Sequence, residues 1–386
     1  MKRYRVRDLI RIILAVVLLA AMDRGVARAS DEAGATAWLR QHRDNPVDYV
    51  VRQFRRADIV LLGEDHRVRQ NLLFVQQPIP RLHAAGITTL GMEFGAVEDQ
   101  AALDALVTGR DYDEEAARRI MFGYDTGWAF SEYLDVYRAA WAFNRRRPAG
   151  SPAFRILNLS YRYNWRAAGP VLTPSRAAMI FGRGPIDAFR ARRIKTEILD
   201  RHQKMLALVG TIHATTRYAA RSYDYNAPNF VREDRRHLGN LLLAMAPRRV
   251  KSILLHQPFP SADDGGARLV QPAGGAIERM MRSLGDRPSG FDLVASPVGA
   301  LADTSLYAAG NTRFDLAALA DGYVFLAPFA ALTGCTIDRQ FVTEANWTEA
   351  RDRFAVEIRQ RPASVAEYWR SVEAYGDVQH AYAAVR

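Results

Sequence analysis

The sequence predicts an α/β protein: a mostly parallel central sheet flanked by helices, with a helical C-terminal extension. Three observations carry this. Short apolar runs alternate with amphipathic stretches along most of the 386 residues, and strands separated by helices build βαβ units whose parallel strands are covered on both faces. Apolar residues make up 49% of the chain and charged residues 25%, ample material for a full core. No internal repeat or low-complexity linker breaks the pattern, so residues 30–290 read as one domain with 291–386 packed on it.

The elements follow in order. Asp58 to Leu62, apolar after its first residue, reads as a buried strand. Arg69 to Ala85 has helical spacing through Leu72, Leu73, Val75, Ile79 and Leu82, with Pro78 and Pro80 expected to break or kink it. Gly86 ends that segment and Ile87 to Met92 is the next strand. Helices are expected at 96–106, 114–121 and 132–144, then a strand at 154–159. A helix at 186–203 leads to a strand at 205–209, and a helix at 235–245 to a strand at 250–255. Residues 161–183, rich in Arg, Pro and aromatics, and 258–275, rich in glycine, read as irregular covers. A last strand candidate, 321–326, precedes helices at 347–360 and 365–375.

The first 29 residues have the build of a secretory signal rather than of fold. Lys2, Arg3, Arg5 and Arg7 precede the apolar run Ile12 to Met22, and Ala27-Arg28-Ala29 fits a cleavage site before Ser30. That run is shorter than the ~20 residues a spanning helix needs, so no stable membrane anchor is expected after cleavage. The expected location is periplasmic or secreted. The leader accounts for five of the eleven net positive charges, and the rest of the chain carries +6. That charge is dispersed, so nucleic acid is not an expected partner. The single cysteine, Cys335, forms no intramolecular disulfide and reads as a small core residue.

Chemistry concentrates at strand ends. In Leu61-Leu62-Gly63-Glu64-Asp65-His66 an apolar strand stops at a glycine and delivers two carboxylates and an imidazole. Ligands of parallel sheets bind outside the carboxyl ends of strands, and this set can supply a general base, an orienting carboxylate or metal ligands. A turn leading into a helix, with His66 merely solvated, fits the short motif equally. Glu93, in Gly91-Met92-Glu93-Phe94-Gly95, is expected to be buried and so needs a partner; His66 is one candidate and an arginine is another. Leu208-Val209-Gly210-Thr211-Ile212-His213 repeats the strand–glycine–histidine build of the first motif. Together His66 and His213 can hold a metal, a haem iron or an activated water at one rim. His256, after the strand at 250–255, is a secondary candidate. His83, His202 and His237 read as solvated helix residues, and Trp128, Tyr133 and Trp141 as packing residues. Tyr161, Tyr163 and Trp165 fit either an aromatic wall or plain packing. The sequence has no Gly-x-Ser-x-Gly elbow, Walker loop, His-Glu-x-x-His or Cys-x-x-Cys.

The ordered set Gly63-Glu64-Asp65-His66, Gly91-Met92-Glu93 and Gly210-Thr211-Ile212-His213 resembles the ChaN/Tiki/erythromycin-esterase-like superfamily, over roughly residues 55–260. The resemblance implies an α/β core with a site made of these Glu and His residues. It implies His66 as base or ligand, Glu64 and Glu93 as ligands or orienting carboxylates, and His213 as second ligand or electrophile. Relatives carry an Arg-Asp pair on the helix before the second His motif. Here Arg190 matches the Arg, but Ala191 stands where the Asp is expected; an Arg-Glu-Asp run, 232–234, appears later. The superfamily holds both enzymes and binders. Two readings follow: a hydrolase of an ester, amide or peptide bond, with water activated by His66 and Glu, with or without a divalent metal; or a haem or iron-ligand binder without catalysis.

Overall fold

The computed structural model describes residues 31–169, 173–223, 231–309, 314–355 and 361–386, with backbone alone for 221–223 and 231–234. The expected leader and the side chains of the 232–234 run lie outside the described residues. Seven strands form the main sheet: β1 (Ile59–Glu64), β2 (Thr89–Ala96), β3 (Arg155–Ser160), β4 (Met205–Gly210), β5 (Val250–Leu255), β6 (Ser289–Asp292) and β7 (Gly322–Phe325). Their order is β6-β7-β5-β1-β4-β2-β3. Every neighbouring pair is parallel except β6 with β7.

The central strands are buried along their whole length, as their unbroken apolar runs require. Their side chains still alternate between two cores. Val60, Leu62, Leu90, Met92, Leu206 and Leu208 enter one. Ile59, Leu61, Met205, Ala207 and Val209 enter the other. The first core takes helices Arg69–Gln76, Ile79–Ala84 and Ser131–Asn144; the second takes Ile186–Ile194 and Leu238–Met245.

Topology explains the split. The chain from β1 to β2 passes over the place of β4, and the chain from β4 to β5 passes back over β1. Right-handed crossovers in opposite directions must lie on opposite faces. The exits of the adjacent strands β1 and β4 therefore diverge and leave a crevice at their carboxyl ends. Glu64 pairs in register with Gly210 there.

Three differences from the sequence expectation are physical. The helix from Ile186 stops at Ile194 and continues as a π-helix, Lys195–Leu199. Thr173 caps a helix, Pro174–Ile180, inside the stretch expected to be irregular. The boundary at residue 290 is not a boundary of the sheet: β7 pairs with β5 and carries β6 on its other edge. Phe354, Tyr368 and Val372 of the C-terminal part pack on the first core, while Phe329, Leu332, Val378 and Tyr382 gather around Val68. No helix among the described residues is long and apolar enough to cross a membrane.

Candidate functional site

The site straddles the ends of β1, β2 and β4, and its polar groups fall into two sets on opposite faces. On the first face, the Glu64 side chain is fully buried and accepts from the Tyr133 hydroxyl at 2.9 Å. His66 Nδ1 lies 3.2 Å from the same oxygen, Glu64 Oε1, and Oε2 has no protein partner. Phe94 and Trp128 flank the imidazole in T-shaped contact, with centroids 5.0 and 5.1 Å away, yet 25% of the side chain stays open. Burial raises the Glu64 carboxyl above its ordinary value, against the lowering pull of His66 and Tyr133. Burial lowers the His66 imidazole, but its bond to Glu64 and the charges of Glu93, Glu64 and Asp65 outweigh it, so its pKa lies above the ordinary value.

The turn that presents His66 is over-determined. Arg67 is held at φ 71°, a left-handed conformation unusual for a non-glycine residue. Its N–H donates to Tyr133 Oη, its Nε to the His66 carbonyl, and one terminal nitrogen to the Tyr375 carbonyl at 2.6 Å. The guanidinium stacks on the Tyr375 ring, and Tyr382 donates to Asp65 at 2.6 Å. The C-terminal part thus fixes the first motif from outside.

On the second face, Glu93 Oε2 accepts the Gly210 N–H at 2.6 Å, and Oε1 lies 3.3 Å from Arg190. Arg190 is buried and spends its fork on Ser160, Glu93 and Asp187. Asp187 Oδ2 meets His213 Nδ1 at 2.7 Å and His237 Nδ1 at 3.2 Å. His213 Nε2 lies 3.8 Å from Glu93 Oε1, and 21% of its side chain is open. Burial works to raise both carboxyls, but Arg190, His213 and His66 hold Glu93 below its ordinary value. His213, His237 and Arg190 hold Asp187 well below its own.

Gly210 joins the two sets. A Cβ on it would stand 2.9 Å from the Cε1 and Nε2 of His66 and 3.5 Å from His213 Cδ2, so the two rings flank one point that only glycine leaves free. Gly210→Ala is expected to push His66 off Glu64. The measurable outcome is a loss of His66-dependent function of at least about tenfold, with little change in the melting temperature.

A second prediction follows from Glu64. A carboxyl whose folded pKa is raised contributes most to stability below its unfolded value, and that contribution is lost as pH rises through the folded pKa. Ionised Glu64 therefore costs stability at neutral pH. Glu64→Gln keeps an acceptor for Tyr133 and is expected to raise the melting temperature by a few degrees at pH 7. The gain should shrink as pH falls below the usual carboxylate range, as calorimetry across pH would show.

The structure thus places Glu64, His66, Glu93, His213 and Arg190 around one crevice. The metal set read from the motifs, Glu64, His66, Glu93 and His213, does not close into one cage. Glu64 sits with His66 on one face, and both Glu93 oxygens are engaged on the other. His256 belongs elsewhere: its nitrogens contact Tyr323 Oη at 2.6 Å and Glu278 Oε1 at 2.8 Å, and it stacks on Phe329. His237 is not solvated but buried, and Tyr133 bonds Glu64 as well as packing. The carboxylate absent at Ala191 is supplied one turn earlier by Asp187, while Ala191 itself is core. The i, i+3 spacing of Asp187 and Arg190 was the available signal. Tyr163 and Trp165 pack on Phe181, and Tyr161 on Tyr163 and Phe189, so these rings form a cover cluster and not a wall.

Residues 50–181, spanning the first two motifs, match the family described as haem-binding uptake, Tiki superfamily, ChaN. Similar solved structures include a Bacillus cereus protein, 12% identical, over 76% of this chain and 96% of that one, with a TM-score of 0.47. A variant of the erythromycin esterase EreC in its open conformation is 11% identical over 71% and 91%, at 0.46. ChaN of Campylobacter jejuni, described with cofacial haem, is 14% identical over 54% and 84%, at 0.35. No curated protein matches the chain. The family match covers β1 to β3, while His213, His237 and Asp187 lie beyond it.

Proposed function

We propose that this protein is an exported hydrolase of an ester, amide or peptide bond, with His66 as general base. One observation carries the reading. His66 has Nδ1 on a buried carboxylate while a quarter of its side chain stays open, the arrangement that fixes a base in its working tautomer. Glu64 orients the ring and Tyr133 holds Glu64. Glu93, clamped by Gly210 N–H and Arg190, keeps negative charge beside both imidazoles. Arg190 has its donors committed to Glu93, Asp187 and Ser160, so His213 is the group left to face a developing oxyanion.

The family description favours a second reading, haem binding. The donor chemistry fits: His66 and His213 each have Nδ1 on a carboxylate and a partly open side chain, and these imidazoles would hold the haem iron. Bound haem would supply its own iron chemistry; the protein would supply ligand and orientation. The two readings separate in one experiment. The purified protein is assayed on chromogenic esters and fluorogenic peptides, then titrated with haem. Turnover without a Soret band supports the hydrolase, and a saturable Soret band without turnover supports the binder. Export is proposed on the leader alone, and N-terminal sequencing of secreted or periplasmic protein should begin at Ser30.

A further inference from the structure

We propose a divalent-cation site made of Asp187 Oδ2, His213 Nδ1 and His237 Nδ1, suited to zinc. The three donors come from separate elements: the first turn of helix Ile186–Ile194, the exit of β4, and the residue capping helix Leu238–Met245. Their ligand atoms lie within 4.8 Å of one another. Both imidazoles point the same nitrogen at one carboxylate oxygen, at 2.7 and 3.2 Å. Tetrahedral zinc with bonds of about 2.0–2.1 Å sets its donors about 3.3 Å apart. Exchanging the bridging protons for an ion therefore asks the two Asp187 contacts to lengthen by about 0.6 Å and about 0.1 Å, with the two imidazole nitrogens already within 4.8 Å of each other.

The surroundings favour the exchange. Arg190 holds Asp187 Oδ1 at 3.1 Å, so the carboxylate is fixed and Oδ2 stays available. Binding through Nδ1 moves the His213 proton to Nε2, which faces Glu93 Oε1 at 3.8 Å; a carboxylate behind a ligating histidine is the usual outer support of such sites. Asp187 and His237 are buried while His213 is partly open, so three protein donors leave a side for water. Two nitrogens and one carboxylate suit zinc, whereas magnesium and calcium take oxygen ligands. This site shares only His213 with the set flagged from the motifs, and it needs no assumption about substrate.

The test uses the full chain, stripped with a chelator, loaded with zinc or cobalt(II) and dialysed. One equivalent should be retained, and cobalt should show the visible bands of a four-coordinate site. Asp187→Asn and His237→Asn should weaken retention at least about 100-fold, while His66→Ala and Glu64→Gln keep it. Asparagine can still cap the helix at 237, and thermal melting checks the fold. X-ray absorption on the zinc-loaded wild type reads the shell directly and should show two imidazoles. Failure of the folded wild type to retain an ion overturns the proposal. So does retention lost in His66→Ala but kept in His237→Asn, or a shell without imidazole. None of these readouts depends on hydrolysis, so the failure of the hydrolase reading would be seen separately.

Discussion

His66→Ala is expected to lower kcat/KM by about 10²–10⁴-fold, the usual contribution of a positioned general base, with the fold intact. The side chain is partly open, and Glu64 keeps its bond to Tyr133 when the imidazole is gone, so the loss should fall on chemistry rather than stability. The pH profile gives a sharper check. His66 must be neutral to accept a proton, so the rate rises as pH climbs through its pKa. Glu64, Glu93 and Asp65 hold that pKa above the ordinary histidine value, so the rising limb should sit above pH ~6.5. Glu64→Gln removes the hydrogen-bonded charge that does most of the raising, and the limb should move toward lower pH. A purely structural His66 would change neither the rate nor the limb. If the protein is instead a haem binder, the same alanine variant shows its effect as a weakened Soret band.

What the sequence disclosed depended on how locally each feature is encoded. The central strands are encoded locally: Ile59 to Leu62 and Met205 to Val209 are short continuous apolar runs, as strands buried on both faces are. The glycine–histidine exits were visible for the same reason. β6 was not, because Ser289–Asp292 has a single large apolar side chain and its antiparallel pairing comes from β7, thirty residues later. Tyr133 looked like one more helix aromatic, since its hydroxyl partner is 69 residues away. His237 sits after two arginines, which suggests solvent, yet it is buried against Asp187, 50 positions back. The second half of the site is therefore a product of topology: the helix before β4 and the helix after it are stacked on one face, and they bring Asp187 and His237 to His213.

Arg190→Met is expected to destabilise the protein by about 3–5 kcal/mol in urea denaturation, the cost of leaving a buried partner charge unmatched. Arg190 is buried between two buried carboxylates, Glu93 and Asp187, and also holds the Ser160 hydroxyl. Methionine fills similar space but supplies no donor. Lysine keeps the charge yet cannot reach three partners from one nitrogen, so Arg190→Lys should recover only part of the loss. Acid sensitivity follows with a definite sign. Carboxyls held below their ordinary values contribute stability that is present above the unfolded pKa and is lost as pH falls through the folded one. With Arg190 in place, Glu93 and Asp187 thus keep contributing down to the acid edge of the carboxylate range. Without it, Glu93 loses its largest lowering influence, and the acid unfolding midpoint should move to higher pH. Adding Glu93→Gln to Arg190→Met removes one stranded charge while keeping an acceptor for the Gly210 N–H. The double variant should therefore be more stable than Arg190→Met alone, a reversal that simple loss of packing volume at position 190 would not produce.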